Sequence, residues 1–158
     1  MAIHKLALDD FFEEEQFSLI AIHCGLQDFR VAYLLNKNLN LALKRTSSDL
    51  NFKNGASYSV FEWESEKEQN HWNLISNHFK KETVPENHTN TLFQNQSGTK
   101  TVWLIPELKK VNYFLKISSD TNALNEAKIV ANIQKIPQIV TAYTIESNQL
   151  TSRGNLIF

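Results

Sequence analysis

The chain has 158 residues, a length that suits one domain over residues 1–158 with a single sizeable core. Hydrophobic residues make up 42% of the sequence and charged residues 21%, and the formal net charge of −1 excludes a bulk electrostatic attraction to nucleic acid or acidic membranes. The single cysteine, Cys24, excludes an internal disulfide bond. No apolar run is long enough to span a bilayer, so we expect a cytoplasmic protein.

The first third of the sequence predicts a strand, a helix and a second strand. Residues 17–23 are almost continuously apolar, as in a strand that is covered on both faces. Residues 26–38 have helical spacing, and the run Asn36–Asn38 is a plausible stop because Asn tolerates the left-handed cap conformation. The alternation over residues 39–43 then predicts a strand. The side chains expected to face the core from the helix are Phe29, Ala32, Tyr33 and Leu35.

The middle of the sequence predicts a hairpin followed by a long polar connection. Residues 57–64 and 71–79 are rich in strand-forming residues and are separated by a charged turn. Apolar positions change parity between Tyr58 and Phe61, which indicates a bulge or a strand with apolar contacts on both sides. Residues 82–100 are polar, and a connection of that length is usually functional or mobile. We therefore expect a mobile loop there.

The last third predicts two strands around a tight turn, then a helix and a strand. Pro106 cannot donate to a sheet ladder, and a proline followed by Glu107 suits the first turn of a short helix. An alternating strand follows, then a helix near residues 124–136 and a strand over residues 139–145. Two such strand–helix–strand units predict crossovers between parallel strands. The expected fold is therefore α+β, in βαβ–hairpin–βαβ order, with a mostly antiparallel sheet and both helices on one face, ferredoxin-like or similar.

The turn carries a resemblance as well as a structural signal. It is similar to the signature of the IPExxxVDY family, a group of small bacterial proteins named for this motif. The stretches His4–Leu6 and Gln27–Arg30 also resemble the family, so the resemblance extends over most of the chain. The resemblance implies no fold, substrate, cofactor or catalytic residue. The positions that carry the signature are Ile105, Pro106, Glu107, Val111 and Tyr113, with Asn112 where the family has Asp.

No catalytic or metal-binding arrangement is visible in the sequence. His23 and Cys24 are adjacent on a strand and point to opposite faces, and His71 and His78 also differ in parity. We expect no metal and no cofactor. Asn112 offers an acceptor oxygen but no charge, so a role in the turn is favoured over a catalytic one, and both stay open. The motif residues are accordingly interpreted as mainly structural.

The sequence favours a protein that is not an enzyme, because it contains no nucleophile–base pair. The first hypothesis is a module that binds another protein or itself, since the predicted helices would leave one sheet face in need of cover. A protein partner or a homodimer would provide it, with no nucleic acid and no membrane involved. The alternative is a regulatory domain that binds a small molecule or metabolite, which a concave pocket with convergent polar groups would favour. The candidate interface residues are Phe61, Trp63 and Trp72.

Overall fold

The protein has an α+β fold with a mostly antiparallel sheet and two α-helices, as the sequence predicts. The structure is a computed structural model that describes residues 15–83, 98–121 and 123–158. The helices are α1 (Asp28–Leu39) and α2 (Glu126–Gln134). The strands are β1 (Ser18–His23), β2 (Lys44–Arg45), β3 (Leu50–Asn51), β4 (Ser57–Tyr58), β5 (Val60–Ser65), β6 (Asn70–Ser76), β7 (His78–Thr83), β8 (Gly98–Trp103), β9 (Tyr113–Ser119) and β10 (Thr141–Ile145).

Six strands form the main sheet in the order β10–β1–β9–β6–β5–β2, and each neighbouring pair is antiparallel. Strand β1 lies inside this sheet, where Ile20 is opposite Leu115 of β9 on one side and Thr144 of β10 on the other. Strands β9 and β10 therefore run in the same direction, as predicted, but β1 lies between them. The pairs β3–β4 and β7–β8 form two small separate sheets.

The strand predicted over residues 39–43 is wrong. Helix α1 continues through Leu39, and the left-handed cap is Asn40, with φ 57° and ψ 46°. The side chain of Asn36 forms two hydrogen bonds with the backbone of Leu43: it donates to the carbonyl at 3.0 Å and accepts from the N–H at 2.9 Å. Because both backbone groups are already bonded, Leu43 cannot pair with a neighbouring strand. The chain enters the sheet only at β2, on the edge farthest from β10.

The expected core-facing stripe of α1 is partly wrong. Ala32 and Leu35 are buried with Val31, whereas Phe29 and Tyr33 are 57% and 62% exposed. An offset of two residues turns a side chain by about 200° around a helix, so the two aromatic residues lie opposite the buried stripe. The helix therefore presents an aromatic pair, one turn apart, to solvent.

One hydrophobic cluster joins the helices to the main sheet. Ile20 and Ile22 of β1 belong to it, and Cys24 extends it beyond the end of the strand. Val31 and Leu35 of α1 and Ile133 of α2 complete the contact from the helix side. The remaining sheet residues in the cluster alternate along their strands, as expected for one face of a sheet, and include Phe61, Trp72, Leu74, Leu115, Ile117 and Ala142.

A second cluster covers the other side chains of the same strands. Leu19 and Ala21 of β1 belong to it, together with Val60, Ile75 and Phe114. Among the described residues, its cover comes from non-helical parts of the chain, as predicted. The small β3–β4 pair, the turn after β8 and the C-terminal segment supply Ala56, Tyr58, Leu104, Ile105, Val111 and Leu156. This face therefore has cover from within the chain, and the protein partner or homodimer stays a prediction.

One strand break lies where the sequence indicates irregularity, near Tyr58 and Phe61, whereas the other interrupts the strand predicted over residues 71–79. Ser59 separates β4 from β5, and Asn77 separates β6 from β7. The change of apolar parity corresponds to apolar contacts on both sides of the sheet, one of the two predicted alternatives, because Tyr58 lies in the second cluster and Phe61 in the first. Residues 84–97 of the loop predicted at 82–100 lie outside the described residues, and the ends of that range belong to β7 and β8. Neither helix in the described ranges is long and apolar enough to cross a membrane.

Candidate functional site

The signature turn has the predicted geometry. Strand β8 ends at Trp103, a short 3-10 helix covers Pro106–Leu108 with the proline in its first turn, and β9 begins at Tyr113. Ile105 and Val111, on either side of the turn, are 0% and 1% exposed and lie in the second cluster. The apolar members of the signature therefore anchor the turn to the sheet.

Asn77, a residue that the sequence analysis did not select, holds the turn from inside. Its side-chain oxygen accepts from the N–H of Ile105 at 2.9 Å. Its side-chain amide donates to the carbonyls of Leu108 at 2.9 Å and Val111 at 2.8 Å. Asn77 is 0% exposed, so each of these hydrogen bonds forms away from water. The break between β6 and β7 thus places an amide where it satisfies the backbone of the turn.

Asn112 and Tyr113 connect the turn to the segment before α1. The side-chain oxygen of Asn112 accepts from the N–H of Cys24 at 2.9 Å, and its own N–H donates to the carbonyl of Ile22 at 3.1 Å. The hydroxyl of Tyr113 donates to the carbonyl of Leu26 at 2.5 Å. Burial raises the pKa of Tyr113 above its ordinary value. The hydroxyl is therefore a neutral donor with a fixed structural partner.

Glu107 connects the turn to the C-terminal segment. Its carboxylate accepts from the hydroxyl of Ser152 and from the N–H of the same residue at 3.3 Å. Nearby, the side-chain amide of Asn155 donates to the carbonyl of Leu104 at 2.8 Å. The polar members of the signature thus bind backbone and side-chain groups of this chain, and these contacts agree with the structural interpretation of the motif.

A polar cleft of about 440 Å³ lies beside the turn and contains several residue types common in active sites. Its ionic groups are already paired: Arg45 bridges Asp28 at 3.4 Å and also contacts Asp49, which accepts from Ser57 at 3.3 Å. Burial, followed by the positive charge of Lys80, lowers the pKa of His78, which also lines this cleft. The charged side chains of this cleft are therefore bound to one another, and no two of them are placed as a nucleophile and its base.

A larger cleft lies at the opposite end of α1. Its volume is about 520 Å³, and we name it the tryptophan cleft because Trp63 of β5 and Trp72 of β6 lie side by side in its wall, with ring centres 6.5 Å apart. The C-terminal end of α1 and the first turns of α2 form the other walls. The remaining lining residues are Leu39, Asn40, Leu41, Glu68, Asn70, Thr121, Ala123, Leu124, Asn125, Lys128, Ile129 and Asn132.

Two residues that line the tryptophan cleft each have a buried polar atom without a hydrogen-bond partner. Among the residues that the structure describes, three buried side-chain atoms are unpaired: the Oδ1 of Asn70, the Nε1 of Trp72 and the Nε of Arg153. Asn70 and Trp72 are 7% and 4% exposed, and they are neighbours on one face of β6. A buried acceptor and a buried donor, both without partners, therefore belong to neighbouring residues that line one cleft.

The candidate interface residues lie in different environments. Phe61 and Trp72 are 7% and 4% exposed within the helix-side cluster, so they present little surface to a protein partner. Their role at an interface therefore stays a prediction, which their burial in this cluster does not support. Trp63 is half-buried and lines the cleft with Trp72. The structure thus brings two of the three residues together, in a concave site.

The histidines and the cysteine do not converge. The ring of His23 contacts the hydroxyl of Tyr143 at 3.0 Å, whereas the thiol of Cys24 is buried in the helix-side cluster and donates to the carbonyl of Gln138 at 3.4 Å. His71 lies 3.8 Å from Glu62, at the other end of β6 from His78. Within the described ranges, no group of three or more His, Cys, Asp or Glu side chains could hold a metal ion.

A buried lysine is a further feature that the sequence analysis missed. Lys116, in the middle of β9, is 2% exposed, and its Nζ donates to the carbonyl of Leu156 at 2.8 Å and contacts Glu15 at 2.8 Å. The same nitrogen lies 4.8 Å and 4.7 Å from the ring centres of Phe17 and Phe158. Because these groups come from both ends of the described chain, Lys116 fastens two terminal segments to the sheet.

Comparisons with known proteins add no relative: no protein-family model, no curated protein and no solved structure matches this chain. The geometry of the two clefts is therefore the basis for choosing between them. The polar cleft beside the turn has its charged groups paired within the chain, whereas the tryptophan cleft has a donor and an acceptor without partners. The tryptophan cleft is the better candidate for binding.

Proposed function

We propose that this protein is a small-molecule-binding module and that the ligand occupies the tryptophan cleft. The observation that carries the proposal is the pair of buried, unpaired atoms, the Oδ1 of Asn70 and the Nε1 of Trp72, on two residues that line a cleft of about 520 Å³. Ligand pockets in proteins usually have volumes of about 300–1,000 Å³, mostly apolar walls and a few polar groups that fix orientation. The tryptophan cleft has a volume in this range, and apolar residues make up half of its lining.

Unpaired polar groups inside a protein lower the stability of the folded state. A buried donor or acceptor without a partner costs about 1–3 kcal/mol of folding free energy. A ligand that satisfies Asn70 and Trp72 recovers part of that cost on binding, in addition to the contribution from covering apolar surface. A wall made only for stability would gain by replacing both polar groups with apolar ones, so their presence favours a binding role.

Association with another protein is the second candidate. It is favoured by the exposed aromatic pair on α1, where Phe29 and Tyr33 lie one helical turn apart. Aromatic residues are enriched at the centres of protein interfaces. Light scattering on the wild type and on Phe29→Ser/Tyr33→Ser separates the hypotheses, because self-association through α1 predicts a lower mass only for the double variant. A monomer at all concentrations, with no effect of the substitutions, contradicts self-association.

The experiment that tests small-molecule binding is a fragment screen monitored by two-dimensional NMR. We expect at least one fragment to shift the indole N–H signals of Trp63 and Trp72 in a saturable way. Trp103 serves as the internal control, because it lies on β8 next to His78 and outside the tryptophan cleft. Fragments that shift all three indole signals equally, or that shift none, contradict the proposal.

We also propose a helix arrangement, a family and a location for this chain. Both helices cover one face of the main sheet, as in ferredoxin-like α+β sandwiches, and the single helix-side cluster supports this. The chain is a member of the IPExxxVDY family, on the strength of its signature turn. Its location is the cytoplasm, a reducing environment that suits the unpaired thiol of Cys24.

A further inference from the structure

We infer that the ligand of the tryptophan cleft is a neutral, flat molecule that presents an amide-type N–H and C=O side by side on one edge. The inference rests on the proposed binding function and adds the chemical class of the ligand. Its basis is an unpaired acceptor on Asn70 and an unpaired donor on Trp72, two neighbouring residues of a cleft that Trp63, Leu41, Leu124 and Ile129 also line.

The hydrogen-bonding requirement follows from the chemistry of the two atoms. A carboxamide oxygen only accepts, and an indole N–H only donates. A ligand that pairs with both must therefore bring one donor and one acceptor. Asn70 and Trp72 are two residues apart on β6, so their side chains emerge on the same face as neighbours. A cyclic amide, with adjacent N–H and C=O groups, is the simplest group that meets both requirements.

The flat, apolar body of the ligand follows from the surrounding walls. Trp63 is half-buried beside Trp72, and their rings are tilted by 38°, so a planar molecule can lie against the exposed surface of Trp63. Leu41, Leu124 and Ile129 line other parts of the cleft. Stacking on an aromatic side chain favours a ring system over a flexible chain of the same size.

The neutral charge follows from the ionic groups at the cleft. Glu68 and Lys128 are its two charged lining residues, one of each sign, and both are exposed. Their charges offset one another, so the cleft has no net attraction for a phosphate, a carboxylate or an ammonium group. This balance distinguishes the expected ligand from a nucleotide, whose phosphates require positive charge.

Binding requires a local rearrangement, because the two unpaired atoms are buried in the structure. Trp63, which is only half-buried, is the neighbouring aromatic side chain whose movement gives a ligand access to Trp72. The rearrangement is favoured because it lets both unpaired groups gain partners. We therefore expect ligand binding to change the fluorescence of Trp63 as well as its NMR signal.

A matched series of probes tests the inference by calorimetry. Carbostyril is a flat bicyclic lactam with both groups on one edge, and N-methylcarbostyril lacks only the donor. We expect carbostyril to bind about tenfold more tightly or better, a ratio that corresponds to about 1.4 kcal/mol. Naphthoate, which is flat but charged, and N-acetylphenylalanine methylamide, which offers a peptide group, should both bind more weakly than carbostyril.

Variants identify the residues that cause the preference. Asn70→Leu should remove the difference between carbostyril and its N-methyl derivative, because the acceptor for the lactam N–H is lost. Trp63→Leu should weaken both probes equally, because it removes the stacking surface. Trp103→Phe is the matched control outside the cleft and should change neither affinity.

The outcomes separate the ligand class from the proposed function. Equal affinities for carbostyril and N-methylcarbostyril in the wild type, or tighter binding of naphthoate, overturn the inference while leaving the cleft as a binding site. Tighter binding of the phenylalanine derivative indicates a peptide ligand and also overturns it. If the fragment screen detects no saturable binding at the cleft, the proposed function and the inference fail together.

Discussion

The side-chain oxygen of Asn112 accepts a hydrogen bond from the backbone N–H of Cys24 at 2.9 Å, across 88 residues of sequence. The bond joins the end of the signature turn to the point where β1 leaves the sheet toward α1. The contact uses the acceptor oxygen that Asn and Asp share, and it requires no negative charge.

We predict that Asn112→Asp changes the free energy of unfolding by less than about 1 kcal/mol, because the acceptor for Cys24 is retained. Asn112→Leu should cost about 1–3 kcal/mol, because the Cys24 N–H then lacks a partner. Urea denaturation of the two variants provides the measurement. A large loss for the Asp variant would show that the charge at this position matters.

The two buried asparagines Asn77 and Asn70 should respond in opposite ways to replacement by Leu. Asn77→Leu removes three hydrogen bonds to the signature turn, so we expect a loss of at least about 3 kcal/mol. Asn70→Leu removes an unpaired acceptor and only one long contact to Glu68, at 3.4 Å, so we expect no loss or a small gain. Thermal and urea unfolding of both variants measure the difference, and equal losses would contradict the assignment of Asn70 as unsatisfied.

The pKa of His78 predicts a pH dependence of stability. Burial and the charge of Lys80 lower the pKa of His78 in the folded chain, so the unfolded chain binds this proton more readily. Stability should therefore decrease as the pH falls below the ordinary histidine pKa of about 6.5. When the pH is lowered from about 7.5 to 5.5, the melting temperature of His78→Gln should decrease less than that of the wild type. His71→Gln, at an exposed position, is the control and should follow the wild type.

Lys116→Met should release the C-terminal segment without unfolding the sheet. The methionine is unbranched like the lysine and one heavy atom shorter, but it cannot donate to the carbonyl of Leu156, and the attraction to the rings of Phe17 and Phe158 is also lost. We expect faster amide hydrogen exchange in residues 150–156 than in the wild type. The exposed residue Lys135 provides the matched control, Lys135→Met. Unchanged exchange rates in the Lys116 variant would show that the segment is held by other contacts.

Local chemistry explains which parts of the fold could be predicted. The continuous apolar run predicted β1, because a strand buried on both faces has no polar alternation. The proline–glutamate pair predicted the turn at Pro106, because the missing donor and the fixed φ leave few alternatives. In these places the neighbouring residues alone determine the backbone.

The failures have a different cause, which is competition from distant groups. The alternation over residues 39–43 is a good strand pattern, but the side chain of Asn36 binds the backbone of Leu43 first. The tryptophan cleft could not be predicted for a similar reason. Whether Asn70 and Trp72 find partners depends on what packs against them from α1 and α2, and strand periodicity does not contain that information.

The position of β1 in the sheet has a consequence for biosynthesis. This strand is translated early, yet both of its partners, β9 and β10, belong to the last third of the sequence. The β5–β6 hairpin can form as soon as it leaves the ribosome, whereas Leu19 to Ile22 must wait, apolar and unpaired, until β9 has been translated. Both edges of β1 are paired only after translation has passed Ile145. Such delayed pairing slows folding and exposes a nascent chain to aggregation. The newly made protein should therefore depend on chaperones more than its modest size suggests.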